Sequence, residues 1–230
     1  MVTINRKYYL SDKYTIEVDG HVLHRIISLR SFAVRGATQV HEGDVGGWVE
    51  GEWNLSQEGN CWAAEKAVIL DKAQVCENAL VTGEAHVFDS AVISGHAVVA
   101  DNARVYGSAT ITDFSRILQQ AVICGDASVC TESCISENAF VEGNAVVDGS
   151  ADISGNAHIF ERAHIMDQAV ITEDAEIKGQ AIISKMVKVY GNACVEGDAV
   201  LTDFAQIFGK ARVGGNVQLD KNIRINNVCI

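Results

Sequence analysis

The chain has 230 residues, of which 48% are hydrophobic, and this apolar fraction excludes an intrinsically disordered chain. Its 18 Lys and Arg residues are outnumbered by 30 Asp and Glu residues, and the net charge of −12 excludes direct binding to nucleic acid or to an anionic membrane, because such binding relies on basic side chains to neutralise phosphates. No apolar run approaches membrane-spanning length and no secretory signal opens the sequence, so we expect a cytoplasmic protein with reduced cysteines.

Residues 1–44 differ from the rest of the chain and carry a hairpin signal. Two apolar-rich runs, 14–18 and 21–26, flank Asp19 and Gly20, a pair that is typical of tight hairpin turns. Repeat arrays need terminal caps because their end coils expose core residues and unpaired strand edges. We therefore predict a small β-hairpin cap over residues 1–44 and a β-solenoid over residues 45–230. A separate ligand-binding domain is the alternative for the first segment.

From Ala63 onward, every sixth residue has the same character. Of the 28 positions from Ala63 to Ile225, 27 are Val, Ile or Leu, and the fourth residue after each is Ala in 22 hexads. A period of six predicts a parallel β-solenoid, and the absence of proline favours uninterrupted strand ladders. Cys61 and Cys229 fall on the small position of the repeat, so we expect both to be buried.

One hexad shows how the side chains are arranged. Val105 points inward, whereas Arg104 and Tyr106 point outward, because side chains alternate along a strand. Gly107 and Ser108 then form a turn, and the turn pairs of other hexads are likewise rich in Gly, Asn and Asp, which tolerate positive φ. The interior is therefore predicted to consist of branched aliphatic residues, with alanines beside the corners.

This pattern resembles that of the hexapeptide-repeat proteins over residues 63–230. The resemblance implies an all-β, left-handed parallel β-helix with three flat faces, 18 residues per coil and about ten coils. Residues 46–49 and 54–62 further resemble the N-terminal segment of YdcK-like bacterial hexapeptide proteins, which are labelled as transferases. The well-known members of the family are acyltransferases that use acyl-CoA or acyl carrier protein, with a general-base His at a subunit boundary and a loop that leaves the coil.

The sequence departs from this enzymatic pattern. No loop interrupts residues 63–230 and no motif carries a catalytic His over, so we predict no catalytic site, no metal site and no cofactor, with acyl-CoA as the cofactor of the transferase alternative. His86, His158 and His164 lie on outward strand positions and are the candidates for a general base. Such a base needs an orienting partner and a sheltered cleft, and we expect a smooth rod to offer neither within one chain.

With 18 residues per coil, the outward residues sort into three faces, which we number in chain order from Val68, Gln74 and Leu80. Face two carries only two formal charges among its 18 outward residues. The corner that follows it, called here the phenylalanine corner, stacks His96, Phe114, Glu132, Ser150, Gln168, Met186 and Phe204. A weakly charged face beside protruding apolar corners is typical of a contact surface, although Thr and Val also suit solvent-facing strands. We predict that a homo-oligomer, a dimer or a trimer, buries Val92, Thr110, Thr112, Phe114, Ile182, Met186, Val200 and Phe204.

Face one and the corners offer two further surfaces. Face one carries a strip of larger side chains, which either stack to stabilise the sheet or recognise a partner, namely Phe88, Arg104, Tyr106, Phe140 and Phe160. Carboxylates gather at the turns, where they serve solubility or imitate a nucleic-acid backbone.

The sequence is compatible with three functions. The first is a non-catalytic acidic scaffold that presents flat faces to copies of itself and to a protein partner. The second is a hexapeptide-repeat acyltransferase whose site forms between subunits, which rests on the family resemblance. The third is an inhibitor from a phage or mobile element that mimics nucleic acid, which rests on the corner carboxylates.

Overall fold

A computed structural model of the chain describes residues 6–18, 20–35 and 39–230. Within these residues the protein is all-β: it is a left-handed parallel β-helix of about ten coils with a β-hairpin at its N-terminal end. The repeat and the hairpin signal predicted the solenoid and its cap, and the family resemblance implied the left-handed sense. None of the described segments forms a helix that is long and apolar enough to cross a membrane.

The coils contribute one short strand to each of three parallel sheets, which are the three predicted faces. The strands of face one are Val45–Val49, Val68–Ile69, His86–Val87, Arg104–Val105, Val122–Ile123, Phe140–Val141, His158–Ile159, Glu176–Ile177, Cys194–Val195 and Arg212–Val213. The strands of face two are Gln74–Val75, Val92–Ile93, Thr110–Ile111, Ser128–Val129, Val146–Val147, His164–Ile165, Ile182–Ile183, Val200–Leu201 and Gln218–Leu219. The strands of face three are Trp62–Ala63, Leu80–Val81, Val98–Val99, Arg116–Ile117, Cys134–Ile135, Asp152–Ile153, Val170–Ile171, Lys188–Val189, Gln206–Phe208 and Arg224–Asn226.

The hexad explains why these strands and turns form. The aliphatic residue of each hexad fills the interior, and Ile93, Ile135 and Ile177 are all fully buried. The alanine four residues later closes the corner, where the Ala67 amide donates to the Ala64 carbonyl at 3.0 Å. Because the interior narrows at each corner, a methyl group is the largest side chain that most hexads place there.

The N-terminal cap extends face one rather than forming a separate layer. Strand β1 (Tyr8–Val18) pairs antiparallel with β2 (His21–Ser28), which confirms the predicted hairpin, although Asp19 lies outside the described residues. Strand β2 then pairs antiparallel with β5 (Val45–Val49), and β5 pairs parallel with the next strand of face one. Strands β3 (Phe32–Ala33) and β4 (Gln39–Val40) pair antiparallel with each other as a separate two-stranded sheet. The division of the chain at residue 44 stays a prediction.

A cluster of aromatic side chains joins the cap to the first coil. Trp62 is 2% exposed and packs edge-on against Tyr8 and Phe32, with ring centroids 6.5 and 5.6 Å apart. The Tyr8 hydroxyl donates to the Leu55 carbonyl at 2.5 Å. The cap therefore covers the apolar end of the solenoid. Without it, the apolar side chains of the first coil would be exposed to water and would not contribute hydrophobic stabilisation.

The period departs from 18 residues only at the two ends of the coil. Trp48 is in register with Val68, a separation of 20 residues (68 − 48), so the first coil is longer by two. At the other end Arg212 bridges Cys229, a separation of 17 (229 − 212). The prediction that Cys229 is buried is therefore wrong. Because the last coil is one residue shorter than 18, Cys229 leaves the small position of the repeat, and its side chain is exposed. Cys61 is fully buried, as predicted.

Candidate functional site

Face one places its larger side chains in stacked columns. Phe88 and Tyr106 stack with ring centroids 4.8 Å apart and planes 7° apart, and the Arg104 guanidinium lies 5.5 Å from the Phe88 ring. Phe140 stacks on His158 at 4.9 Å, and His158 contacts Phe160 at 4.2 Å. The predicted strip is thus two groups of rings that are half-buried by one another.

Tyr106 is the residue of this strip whose acidity is most altered. A hydrogen bond with the Cys124 side chain is the main cause that raises the pKa of the Tyr106 hydroxyl to about 12, and burial adds to it. Burial likewise raises the pKa of the Cys124 thiol. Both groups are therefore protonated at neutral pH, so this pair provides a neutral, polar patch rather than a thiolate nucleophile.

His158 and His164 each lie beside a carboxylate of the preceding coil. His158 Nε2 lies 2.9 Å from Glu142 Oε1, and His164 Nε2 lies 3.2 Å from Asp148 Oδ2. The expectation that the coil offers no orienting partner is therefore wrong. His158 is in register with Phe140 on the preceding coil, and its side chain also reaches Glu142, two residues after Phe140. His158 lies on face one and His164 on face two, so the two do not converge on one metal ion. His86 is on face one, in register with Val68 and Arg104.

Face two and the phenylalanine corner expose apolar side chains. The exposed fractions are 50% for Phe114, 37% for Ile182, 47% for Met186 and 52% for Phe204. The remaining predicted contact residues of face two are half-buried, namely Val92, Thr110, Thr112 and Val200.

The cap covers part of the phenylalanine corner. Phe114 stacks on His96 with ring centroids 5.0 Å apart. The Arg35 guanidinium of the cap lies 5.4 Å from the Phe114 ring and donates to the Phe114 carbonyl at 3.2 Å. The apolar surface of this corner is therefore organised at its N-terminal end by contacts within the chain, whereas Met186 and Phe204 project further along the rod.

The corner carboxylates have a structural task in the turns. Many turns place Asp or Glu at positive φ, as at Asp101, where φ is 61°. Its Oδ2 accepts a hydrogen bond from the Gln119 amide, one coil further on, at 2.9 Å. The same 18-residue contact recurs from Glu65, Asp71, Glu77, Asp89, Asp113, Glu137, Glu161, Asp167 and Asp203. The turn therefore accounts for these ten carboxylates, because each accepts a hydrogen bond from the backbone amide of a residue with positive φ on the next coil.

A mixed cluster of side chains lies where the cap meets the first two coils. His21 Nδ1 is 3.1 Å from Glu50 Oε1, and His21 Nε2 is 3.6 Å from Asp71 Oδ1. Beside them runs an open groove of about 470 Å³, lined by Glu50, Trp53, Asp71, Lys72, Asp89 and Ser90. This cluster could not be recognised in the sequence, because its members are far apart in the chain and follow no ligand spacing.

The six-residue repeat, the three parallel sheets and the turn ladder together define a left-handed parallel β-helix that is built from six-residue repeats. No family model matches the chain, and no curated protein does. Solved structures with a similar coil include a UDP-N-acetylglucosamine acyltransferase from Campylobacter jejuni, which is 22% identical, with a TM-score of 0.32 over 68% of this chain and 66% of that one.

A second similar structure is the UDP-N-acetylglucosamine O-acyltransferase from Moraxella catarrhalis RH4, which is 15% identical, with a TM-score of 0.29 over 76% of this chain and 67% of that one. The present chain thus spans about two thirds of the length of each. At such low identity and TM-score, no residue role and no substrate is transferred to this protein.

Proposed function

We propose that this protein is a non-catalytic binding and scaffold protein of the cytoplasm, which associates with itself through face two and the phenylalanine corner and presents its other faces to a protein partner. The observation that carries the proposal is the exposure of Phe114, Ile182, Met186 and Phe204 on face two and the corner that follows it. Large apolar side chains in a row on a flat surface lose contact with water when a matching surface covers them.

The spacing of these residues suits a two-fold dimer with antiparallel rods. Ser150 is 36 residues, or two coils, from both Phe114 (150 − 114) and Met186 (186 − 150) on the same corner. A two-fold axis through Ser150 would place Phe114 of one protomer against Met186 of its partner, and His96 against Phe204. Such an isologous contact closes on itself and needs no third subunit.

Light scattering tests the self-association. The double variant Phe114→Glu with Phe204→Glu is expected to halve the particle mass, because two carboxylates would be buried against apolar groups. Tyr14→Glu is the matched control, because Tyr14 is 47% exposed and belongs to β1, the outermost strand of the sheet that contains face one. An unchanged mass in the double variant contradicts the assignment.

A disulfide tests the arrangement of the dimer. In a Cys229→Ser background, Ser150→Cys is expected to form a disulfide-linked dimer, since both copies of residue 150 would lie at the axis. Ser108→Cys, an exposed residue on a different corner, is expected to stay monomeric on a non-reducing gel. Cross-linking of both variants to the same extent, or of neither, contradicts an antiparallel dimer centred on Ser150.

Acyl transfer is the second candidate function, and the His158–Glu142 pair is the observation that supports it. The resemblance to YdcK-like proteins points in the same direction. With Nε2 held by Glu142, Nδ1 of His158 would accept the proton of an acceptor hydroxyl or amine, which would then attack the thioester carbonyl of acyl-CoA. The tetrahedral intermediate would release the CoA thiolate, which takes up that proton.

Release of free thiol from acetyl-CoA separates the two functions. The scaffold proposal expects no turnover and no micromolar binding of the thioester by the wild-type protein. Turnover that is lost in His158→Ala and kept in His96→Ala would establish the transferase and overturn the scaffold.

A further inference from the structure

The cluster at the junction of cap and coil brings together three segments of the chain. His21 is the first residue of β2, directly after the hairpin turn, and Glu50 directly follows β5. Asp71 occupies a turn of the next coil with a φ of 55°. Their side chains are 32%, 25% and 31% exposed, so the cluster is partly shielded from solvent but reachable from it.

Each carboxylate of the cluster is oriented through one of its two oxygens. Glu50 Oε2 accepts a hydrogen bond from the Asp71 amide at 2.7 Å, and Asp71 Oδ2 accepts one from the Asp89 amide at 3.2 Å. The other oxygen of each carboxylate points to the imidazole of His21. Backbone donors thus fix both carboxylates in the way that outer contacts commonly fix metal ligands.

We propose that His21, Glu50 and Asp71 bind a divalent transition-metal cation, with zinc as the type case. One imidazole nitrogen and two carboxylate oxygens form a donor set that suits such a cation, and one candidate atom from each residue lies within 4.8 Å of the others. In a tetrahedral zinc site, bond lengths near 2.0–2.1 Å separate two ligand atoms by roughly 3.3 Å. Because the two carboxylates meet different nitrogens of the His21 ring, binding requires the ring to turn so that one nitrogen faces the ion and requires the carboxylate oxygens to move toward it. The charge also agrees, because the cation neutralises two adjacent carboxylates.

The cation would fasten the hairpin to the coil and stand at the edge of the neighbouring groove. His21 belongs to the cap, whereas Glu50 and Asp71 belong to successive coils, so one ion would link three chain segments. The indole of Trp53 lies in the same groove and donates to the Asp71 carbonyl at 2.7 Å. The ligand positions that the protein leaves open would face this groove and be filled by water or by an oxygen-bearing ligand.

Calorimetric titration of the full-length protein with Zn²⁺ tests the site. Glu50→Gln and Asp71→Asn are the informative variants, because each amide oxygen still accepts the backbone hydrogen bond of the original carboxylate. Each is expected to weaken the site about tenfold or more, since a neutral amide is a poor zinc ligand. His41→Ala is the matched control, because His41 is a cap histidine that pairs with a single carboxylate, that of Asp44, and this variant is expected to bind as the wild type does.

A local optical signal separates this site from binding by cysteines elsewhere. Ni²⁺ or Co²⁺ is expected to quench the fluorescence of Trp53, to do so less in Asp71→Asn, and to lose the effect in Trp53→Phe. Zn²⁺ is also expected to raise the thermal midpoint of the wild-type protein, because a ligand that binds only the folded state stabilises it. Equal zinc affinity, or equal lack of a midpoint shift, in the wild type and in both amide variants would show that the cluster is an ion pair only and would overturn the proposal.

Discussion

The side-chain nitrogen of Lys7 lies 2.8 Å from the carbonyl oxygen of Cys61 and 3.1 Å from its Sγ, and neither residue is exposed to solvent. Lys7 immediately precedes β1, whereas Cys61 occupies a corner of the first coil. This contact anchors the cap in the interior of the solenoid. Burial lowers the pKa of the Lys7 ammonium and raises the pKa of the Cys61 thiol.

Lys7→Met is expected to change how stability depends on pH. The folded-state pKa of Lys7 is below its ordinary value of 10.5, so in the interval between the two values unfolding takes up a proton. The stability that Lys7 contributes is therefore complete above pH 10.5 and is lost as pH falls through the lowered pKa. Thermal midpoints measured across this interval should rise less steeply with pH in Lys7→Met than in the wild type. Lys13→Met, at an exposed position of β1, should keep the wild-type slope.

Tyr106 is expected to titrate near pH 12 in the folded protein. The hydrogen bond with Cys124 is the main cause of this raised pKa, so Cys124→Ala should shift the absorbance titration of the tyrosine toward 10, and Cys130→Ala, on face two, should not. Because the folded pKa is raised, the stability from this group is complete below pH 10 and is lost as pH rises through about 12. An identical titration curve in Cys124→Ala would contradict the assigned cause.

The interior of the coil should tolerate loss of volume poorly. Ile135 is fully buried, and Ile135→Ala is expected to cost about 2–5 kcal/mol of unfolding free energy because it leaves a cavity. Val170 points outward from face three, so Val170→Ala should cost only about 0.5 kcal/mol. Denaturant titrations of both variants measure the difference, and equal costs would contradict the inward register.

Asp101 separates the structural role of a corner carboxylate from its charge. Asp101→Asn retains both the tolerance of positive φ and an oxygen for the Gln119 amide, so its stability should match that of the wild type. Asp101→Ala loses both and is expected to cost about 1–3 kcal/mol. An equal loss in the two variants would mean that charge, rather than the turn, is what the corner requires.

A protein that mimics nucleic acid needs the negative charge of the corner carboxylates, so Asp→Asn variants also test this hypothesis. If the protein binds a basic partner through its corners, a set of Asp→Asn changes at the corner positions should weaken the complex while leaving the fold intact. A complex that is insensitive to these changes would exclude the mimic.

The 18-residue period predicts which side chains are neighbours on adjacent coils. Because equivalent positions recur every 18 residues, Glu142 has to lie beside His158 once the register is known, just as Asp148 lies beside His164. The stacking of Phe88 on Tyr106 and of Phe140 on His158 follows from the same period. These contacts could have been predicted from the sequence, whereas the identity of any molecule that meets them could not, since nothing in the repeat encodes a partner.

The sequence by itself determined the coil. Each turn and each interior position depends on side-chain volume and on φ within a single hexad, and identical local conditions repeated without interruption give one stacking period. The left-handed sense of the coil is not encoded in that period. Only the tertiary structure decided how the cap meets that coil. Lys7 with Cys61, and His21 with Glu50 and Asp71, join segments that share no period, and the two extra residues of the first coil move its register. Such contacts depend on how all the side chains of the junction pack together. Because these side chains come from segments that share no repeat, no local sequence pattern predicts their contacts.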